Sequence, residues 1–298
     1  MRPILAAWNL SDQPCALWAE RENRVFAVGT PPRYALRAHR PGLRTVSQIE
    51  AELSWMQSLA AAGLRVPSPV ELAAGGWVLD QGGQLYSLVT WLPGAPLAEA
   101  PKGKTPQTFQ ALGALFRQIH DLPTPTDLDR PDWTADGLVG AEPLWGPFWT
   151  HPDLSPAQGQ LFLTFRDEAR AQLAALTLPS QLIHADPLQE NVLVSEGAVA
   201  LIDFDDCAYG YPLFDLATLL VQRLPDANFA DLKAAMIEGY GEVDRQALAL
   251  LFALRCLTYV GWVQDKRETA AGRAMSGRIV ARAVAQTQAY LDGKSPVF

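Results

Sequence analysis

The chain has 298 residues, 49% of them hydrophobic and 19% charged, a mixture that predicts two domains or one domain in two lobes and excludes a disordered polymer. The longest apolar run, Ala247 to Leu254, is far too short to span a bilayer, and the start MRPILAAWNLSD lacks a long apolar stretch and a cleavage site, so a cytoplasmic location is expected. A net charge of −8 argues against nucleic acid or an anionic membrane as partner, while three widely spaced cysteines (Cys15, Cys207, Cys256) and four histidines exclude a disulfide framework and a His-rich metal site.

Residues 24–28 (RVFAV) and 34–38 (YALRA) read as a hairpin, separated by Gly29 and the Pro31-Pro32 pair. The stretch 30–49 holds Arg33, Arg37, Arg40 and Arg44 without one acid, which is either a surface for an anion or a solvated basic face. Within it, Ser47 and Glu50 spell an S-x-x-E capping box for a helix with Ile49, Leu53, Met56 and Leu59 or Ala60 on its apolar side, ending near Gly63. Two further strands, 77–80 and 85–92, flank Gly82-Gly83, so residues 1–92 are predicted as β-β-α-β-β. Pro93, Pro96 and Pro101 then break the pattern and set a boundary between regions 1–92 and 93–298.

Thr105 and Pro106 open a helix carrying Phe109, Leu112, Leu115, Phe116 and Ile119 on one side. Residues 122–156, with seven prolines, read as a long loop or a substrate-side insertion, and helical spacing resumes over 158–176. A short β island follows at 181–184, 191–194 and 199–203, and after Asp215 helices run nearly to the end. The class predicted is α+β, with a β-rich first region and a mainly helical second one. Charge divides the same way: residues 1–90 carry eight arginines against seven acids, and residues 91–298 carry 16 basic against 25 acidic groups.

The β island, LIHADPLQENVLVSEGAVALIDFDD, ends its strands repeatedly in polar groups. Pairing symmetric about Gly197 would set Asn191 opposite Asp203, placing an amide oxygen and a carboxylate at the open end of one hairpin. Those are hard oxygen ligands suited to Mg²⁺, and Asp186 in the preceding loop adds a second carboxylate. A carboxylate beside a metal-bound phosphate can take the proton of an attacking hydroxyl. Each of the three alone is more often a turn or cap residue; all three at one hairpin end form a rarer coincidence.

These residues resemble a known family. His184-Ala185-Asp186-Pro187-Leu188-Gln189-Glu190-Asn191, followed by Ile202-Asp203-Phe204-Asp205, is similar to the H-x-D-x-x-x-x-N plus D-F-D signature of the aminoglycoside phosphotransferase and choline kinase family, relatives of protein kinases. Tyr209-Gly210, Phe214-Asp215-Leu216-Ala217, Glu22-Asn23-Arg24-Val25-Phe26 and residues 36–42 extend the resemblance over essentially the whole chain. The ENRVF element and LTYVGW (257–262) resemble in particular the branch of bacterial stress-response Ser/Thr kinases and homoserine-kinase-like enzymes.

The resemblance implies a bilobal protein kinase-like fold, with 1–92 as the nucleotide-binding lobe and 93–298 as the catalytic and acceptor-binding lobe. It implies that Asp186 is the catalytic base, that Asn191 and Asp203 hold Mg²⁺, and that His184 braces the catalytic loop. Arg37 stands where the family uses a strand lysine on the α and β phosphates, the first lysine of this chain being Lys102. Trp91 and Leu92 end the segment that offers backbone groups to adenine, and Arg21, Asn23 and Arg24 occupy the hairpin over the phosphates without a glycine-rich motif. The chain departs from the family loop at Ala185, Leu188 and Glu190.

For the partner of Arg37, helical geometry favours Glu52, one turn before Met56 on the apolar stripe, over the capping-box Glu50 on the polar side. Asp205, Asp206, Asp153 and Glu142 are candidates for an acidic acceptor-side surface, or are ordinary solvated acids. The function expected is an ATP- and Mg²⁺-dependent phosphotransferase acting on a hydroxyl of a small molecule or of a protein Ser/Thr. Two alternatives are a non-catalytic nucleotide-binding scaffold on the same fold and a metal-dependent phosphoesterase on His184, Asp186, Asp203 and Asp205, which would want more histidines.

Overall fold

The structure, a computed structural model, describes every residue except Arg21, Pro101, Lys102 and Thr177. Its strands are β1 (Cys15–Glu20), β2 (Arg24–Val28), β3 (Tyr34–Ala38), β4 (Val78–Gln81), β5 (Gln84–Thr90), β6 (Ala95–Pro96), β7 (Asp132–Trp133), β8 (Gln181–Ile183), β9 (Val192–Ser195), β10 (Ala198–Leu201) and β11 (Ala208–Gly210). The helices are α1 (Arg2–Leu5), α2 (Val46–Ala61), α3 (Pro106–His120), α4 (Ala135–Val139), α5 (Pro156–Leu176), α6 (Leu213–Arg223), α7 (Phe229–Tyr240), α8 (Arg245–Val263) and α9 (Ala270–Leu291). They form two compact units that interleave along the chain. Unit 1 comprises Met1–Lys104, Asp121–Arg130 and Glu190–Asp206; unit 2 comprises Thr105–His120, Pro131–Gln189 and Cys207–Phe298.

Unit 1 holds a five-stranded antiparallel sheet in the order β1-β2-β3-β5-β4. The predicted hairpin is present, with Arg24 opposite Ala38 and Val28 opposite Tyr34. Strand β1 was not anticipated: Leu17 and Trp18 are both exposed, so no alternation of inside and outside marks it, and its pairing with β2 is interrupted by a register shift between Leu17 and Ala19. Ile4, Leu5, Trp8, Val28, Leu36 and Leu88 pack as one apolar cluster. Helix α2 is capped two residues earlier than predicted. Thr45, not Ser47, is the N-cap: its hydroxyl accepts from the Gln48 N–H at 3.2 Å, and the Gln48 side chain accepts from the Thr45 N–H at 3.2 Å. A capping box needs only a hydroxyl and an amide or acid three apart, and Thr45/Gln48 satisfies that spacing as well as Ser47/Glu50 does. A second sheet, β10-β9-β6, completes the unit.

Unit 2 is mainly helical. Helices α3 and α7 approach closely because each carries a glycine at the crossing: a Cβ on Gly113 would lie 2.0 Å from the Met236 carbonyl oxygen, and one on Gly239 would lie 1.9 Å from that of Gln110. Helix α8 is buried along most of its length. The segment Arg245–Lys266 is long and apolar enough by composition to cross a membrane, yet 83% of its most apolar window is buried, as befits a core helix. The small sheet β7-β11-β8 separates β8 from the β9–β10 hairpin, with which the sequence pattern had grouped it. The proline-rich stretch is not one loop either: it contains β7, α4 and a 3₁₀ turn at Phe148–Thr150.

Candidate active site

In unit 1 the chemistry gathers around Arg37. Strand β3 lies between β2 and β5, with Arg37 opposite Val25 and Ser87. The guanidinium is shared: Nη1 donates to Glu52 Oε1 at 2.7 Å, and Nη2 donates to Asp203 Oδ1 at 3.1 Å. Glu52 comes from the buried side of α2, in line with Leu53, Trp55, Met56 and Leu59, and its side chain is 1% exposed. Burial pushes the Glu52 carboxyl up against the opposing pull of Arg37 and Arg130. Burial also works against charge on Arg37, but Glu52, Asp203 and Asp205 outweigh it and hold its proton more tightly than usual. The other Glu52 oxygen, Oε2, is buried with no hydrogen-bond partner among the described residues. Beside this group His39 bonds Ser87 at 2.9 Å; burial first, then Arg37 and Arg44, bring it down to about 3, so the ring is neutral and adds no competing charge.

The β9–β10 hairpin positions the two candidate metal ligands. Its turn is Glu196-Gly197, with φ of 52° and 84°, the all-positive pair of a tight two-residue turn. Ser195 therefore pairs with Ala198 and Val192 with Leu201, and the Ile202 N–H donates to the Asn191 carbonyl at 2.9 Å. Asn191 stands opposite Ile202, not Asp203: the centre of symmetry lies between Glu196 and Gly197 rather than on Gly197, which shifts the expected register by one residue. Asp203 leaves the strand in a left-handed conformation, φ 63°, that a non-glycine residue holds only when its surroundings fix it. Those surroundings are visible. Phe204 is buried edge-on against Trp55 at 5.4 Å. Arg44 donates to the Asp205 carbonyl at 3.1 Å and to Asp206 Oδ1 at 2.8 Å, while Arg130 joins the Asp205 carbonyl to the Gln48 carbonyl at the start of α2.

Most of the basic stretch is thus engaged inside unit 1. Arg44 holds Asp205 and Asp206, Arg40 pairs with Glu22 at 2.7 Å, and Arg33 lies over the Tyr34 ring. Asp153 is likewise paired with Arg267 within unit 2. Of the candidate nucleotide residues, Asn23 accepts from the Arg40 N–H at 3.0 Å across the β2–β3 hairpin. The Trp91 N–H donates to the Arg33 carbonyl at 2.9 Å, and its ring meets Trp18 edge-on at 5.0 Å. Leu92 follows, half-buried. Arg21 lies outside the described residues.

In unit 2 the loop after β8 is fixed from below by one carboxylate. Asp215, at the start of α6 and fully buried, accepts from the His184 N–H at 2.9 Å and the Ala185 N–H at 2.7 Å. It also bonds His120 Nε2 at 3.1 Å, whose other nitrogen meets the Tyr240 hydroxyl at 3.1 Å. Ala185 adopts φ 67°, so two amides held by one acid define the bend immediately before Asp186. Further on, Gln189 is gripped by Gln222 at 3.0 Å and by Arg223 at 2.5 Å, both from α6. Asp186 Oδ1 accepts from Arg255 Nη2 of α8 at 2.6 Å. The chain crosses from unit 2 to unit 1 between Gln189 and Glu190, a few residues past Asp186.

Sequence reasoning named Asp186, Asn191, Asp203, Arg37 and Glu52, placed Arg44 only in a basic stretch open to an anion or to solvent, and gave no role to Arg130, Arg223 or Arg255. A signal for the last was available, because a charge inside ALALLFALRCLTYVG must have a partner when that segment is buried. For a divalent ion, the donors at the β9–β10 end are all oxygen: the buried Asn191 amide and the Asp203 carboxylate, whose side chain is 48% exposed. Among the described residues no cluster of three His, Cys, Asp or Glu side chains forms a cage. Such a sparse oxygen set fits a small hard cation that takes its remaining ligands from phosphate and water.

The sequence pattern of the phosphotransferase enzyme family (APH) matches residues 15–251. An uncharacterized protein of Deinococcus radiodurans is 30% identical over 251 residues, 77% of this chain and 70% of that one. A homoserine kinase of Chelativorans sp. is 30% identical over 176 residues, 56% of this chain and 51% of the kinase. Among solved structures, a microcompartment-associated aminopropanol kinase has a TM-score of 0.84 at 21% identity, covering 100% of this chain and 98% of its own. An amicoumacin kinase in complex with AMP-PNP and Ca²⁺ has a TM-score of 0.75 at 23% identity, covering 92% and 88%.

Proposed function

This chain belongs to the phosphotransferase enzyme family, and from that premise we propose that it moves the γ-phosphoryl group of ATP to a hydroxyl of a small molecule in the cytoplasm. The observation that carries the reading is the sharing of Arg37 between Glu52 and Asp203. A guanidinium fixed from two sides presents a planar fork of donors that suits phosphate oxygens, so it can stand in for the strand lysine of related enzymes. Small hydroxyl compounds are favoured over protein side chains because relatives include homoserine kinases and a hydroxylysine kinase, and structural neighbours include an aminopropanol kinase.

In this reading Arg37 holds the α and β phosphates, with Glu52 keeping the guanidinium in place. Asn23 lies over the phosphates, and Trp91 and Leu92 bound the adenine. Asn191 and Asp203 hold Mg²⁺, which when bound offsets phosphate charge. The acceptor oxygen attacks the γ-phosphorus as the bond to the β,γ-bridging oxygen breaks, ADP leaves, and Asp186 takes the hydroxyl proton. His184 keeps a structural role, consistent with its burial at the end of β8.

The direct test is ADP formation by the purified protein with ATP and Mg²⁺ against a panel of small hydroxyl compounds and one generic protein substrate. ADP formation stimulated by a small hydroxyl compound supports the reading, and ATP binding without turnover on any acceptor favours the scaffold alternative. For the clamp, Arg37→Ala is expected to weaken ATP binding by roughly 10- to 100-fold while leaving adenosine binding nearly unchanged, because only the triphosphate meets the cation. Calorimetry with the two ligands decides it: equal losses remove Arg37 from the phosphate site.

A further inference from the structure

We propose that Arg255 is a positioning residue for the transfer reaction, orienting the Asp186 carboxylate toward the acceptor hydroxyl; this rests on the reading of Asp186 as the base. Arg255 sits in the middle of α8 and is 3% exposed. Its only carboxylate partner among the described residues is Asp186, at 2.6 Å. The guanidinium is itself tightly fixed. Nη1 donates to the Thr258 hydroxyl at 3.2 Å, Nη2 donates to the Tyr259 hydroxyl at 3.2 Å as well as to Asp186, and the Tyr259 ring lies 4.1 Å from Cζ. Residues 255, 258 and 259 share one face of a helix, so these contacts form as soon as α8 does. Trp133 and Phe214, at 5.7 and 5.6 Å, add further ring contacts around the guanidinium.

Fold stability alone is a weak reason for this arrangement. A buried ion pair often gains little or nothing over a well-packed apolar replacement, so burial of this pair is weak evidence of a stabilising role. What the pair does supply is a direction. Asp186 follows Ala185, whose backbone is held by Asp215; those bonds act on the main chain, whereas Arg255 acts on the carboxylate itself, binding its Oδ1 and drawing it in one direction. The LTYVGW segment, singled out by resemblance alone, acquires a physical role: Thr258 and Tyr259 within it lock the arginine that locks the base.

The test is a double-mutant cycle on single-turnover transfer rates, using the full chain, ATP, Mg²⁺ and an acceptor found in the panel above. Arg255→Met and Arg255→Lys are each made in the wild-type and Asp186→Asn backgrounds. Lysine retains the charge but cannot reach Asp186, Thr258 and Tyr259 together, so it keeps the proposal falsifiable if the methionine variant does not fold. Each is expected to lower the rate about 10- to 100-fold in the wild-type background, with KM for ATP changed less than about twofold, and to cost nothing further when Asp186 is already asparagine. Guanidinium ion added to Arg255→Ala is expected to restore part of the rate. The proposal is overturned if either folded variant turns over at the wild-type rate, or if the loss is the same in both backgrounds. Full activity of Asp186→Asn alone would instead overturn the base assignment, so the two failures are distinguishable.

Discussion

Asp186→Asn should lower phosphoryl transfer by roughly two to four orders of magnitude while leaving ATP affinity within about twofold of wild type. The base acts on a proton that is transferred only as the reaction proceeds, so its loss falls on the rate and not on ground-state binding. Asparagine keeps the shape of the side chain and an oxygen for Arg255 Nη2, which limits damage to the loop. Rapid-quench measurement of phosphorylated product, paired with calorimetric ATP titration, separates the two quantities. A variant that transfers at the wild-type rate would show that the hydroxyl proton leaves by another route.

Asp215→Ala should be the most damaging substitution for the fold around the site. It removes the acceptor of two buried amides, His184 and Ala185, together with the partner of His120 Nε2. Stranding buried donors costs about 1–3 kcal/mol each, so a loss of roughly 3–5 kcal/mol is expected, with turnover falling in parallel because Ala185 no longer has a reason to hold its left-handed conformation. Chemical denaturation followed by tryptophan fluorescence measures the first effect, and the turnover assay the second. An unchanged denaturation midpoint would mean that the bend before Asp186 is held by other contacts.

What could be read from the sequence was whatever depends on short spacing. The β2–β3 hairpin follows from two alternating runs around Gly29, and the choice of Glu52 over Glu50 follows from the period of α2; both depend on residues close in the chain. Errors arose where two local solutions were nearly equivalent. Thr45/Gln48 and Ser47/Glu50 both satisfy a capping pattern, and the extended backbone of Thr45, φ −83° and ψ 164°, marks the first as the one used. The hairpin centre could fall on Gly197 or between it and Glu196, and the positive φ of Glu196, a residue with no evident preference for it, selects the second. For Arg255 the apolar run around it signals that a partner is needed but not which one: that partner lies 69 residues earlier, and no periodicity connects them.

The interleaving of the two units has a consequence for the order in which this protein comes into being. Strand β6 pairs with β9, Ala95 opposite Val194 and Pro96 opposite Leu193, and Arg37 meets Asp203, 166 positions later. A nascent chain emerging from the ribosome therefore presents Arg37 and Glu52 long before Asp203, Asp205 and Phe204 exist to close the cluster. Contacts of such sequence separation form late and slowly. By the time the Arg37 cluster can be completed, the loop carrying Asp186 has already been synthesised. An interrupted translation product that lacks this loop therefore has no finished Arg37 cluster, and a fragment ending at residue 104 lacks the parts of unit 1 contributed by residues 121–130 and 190–206.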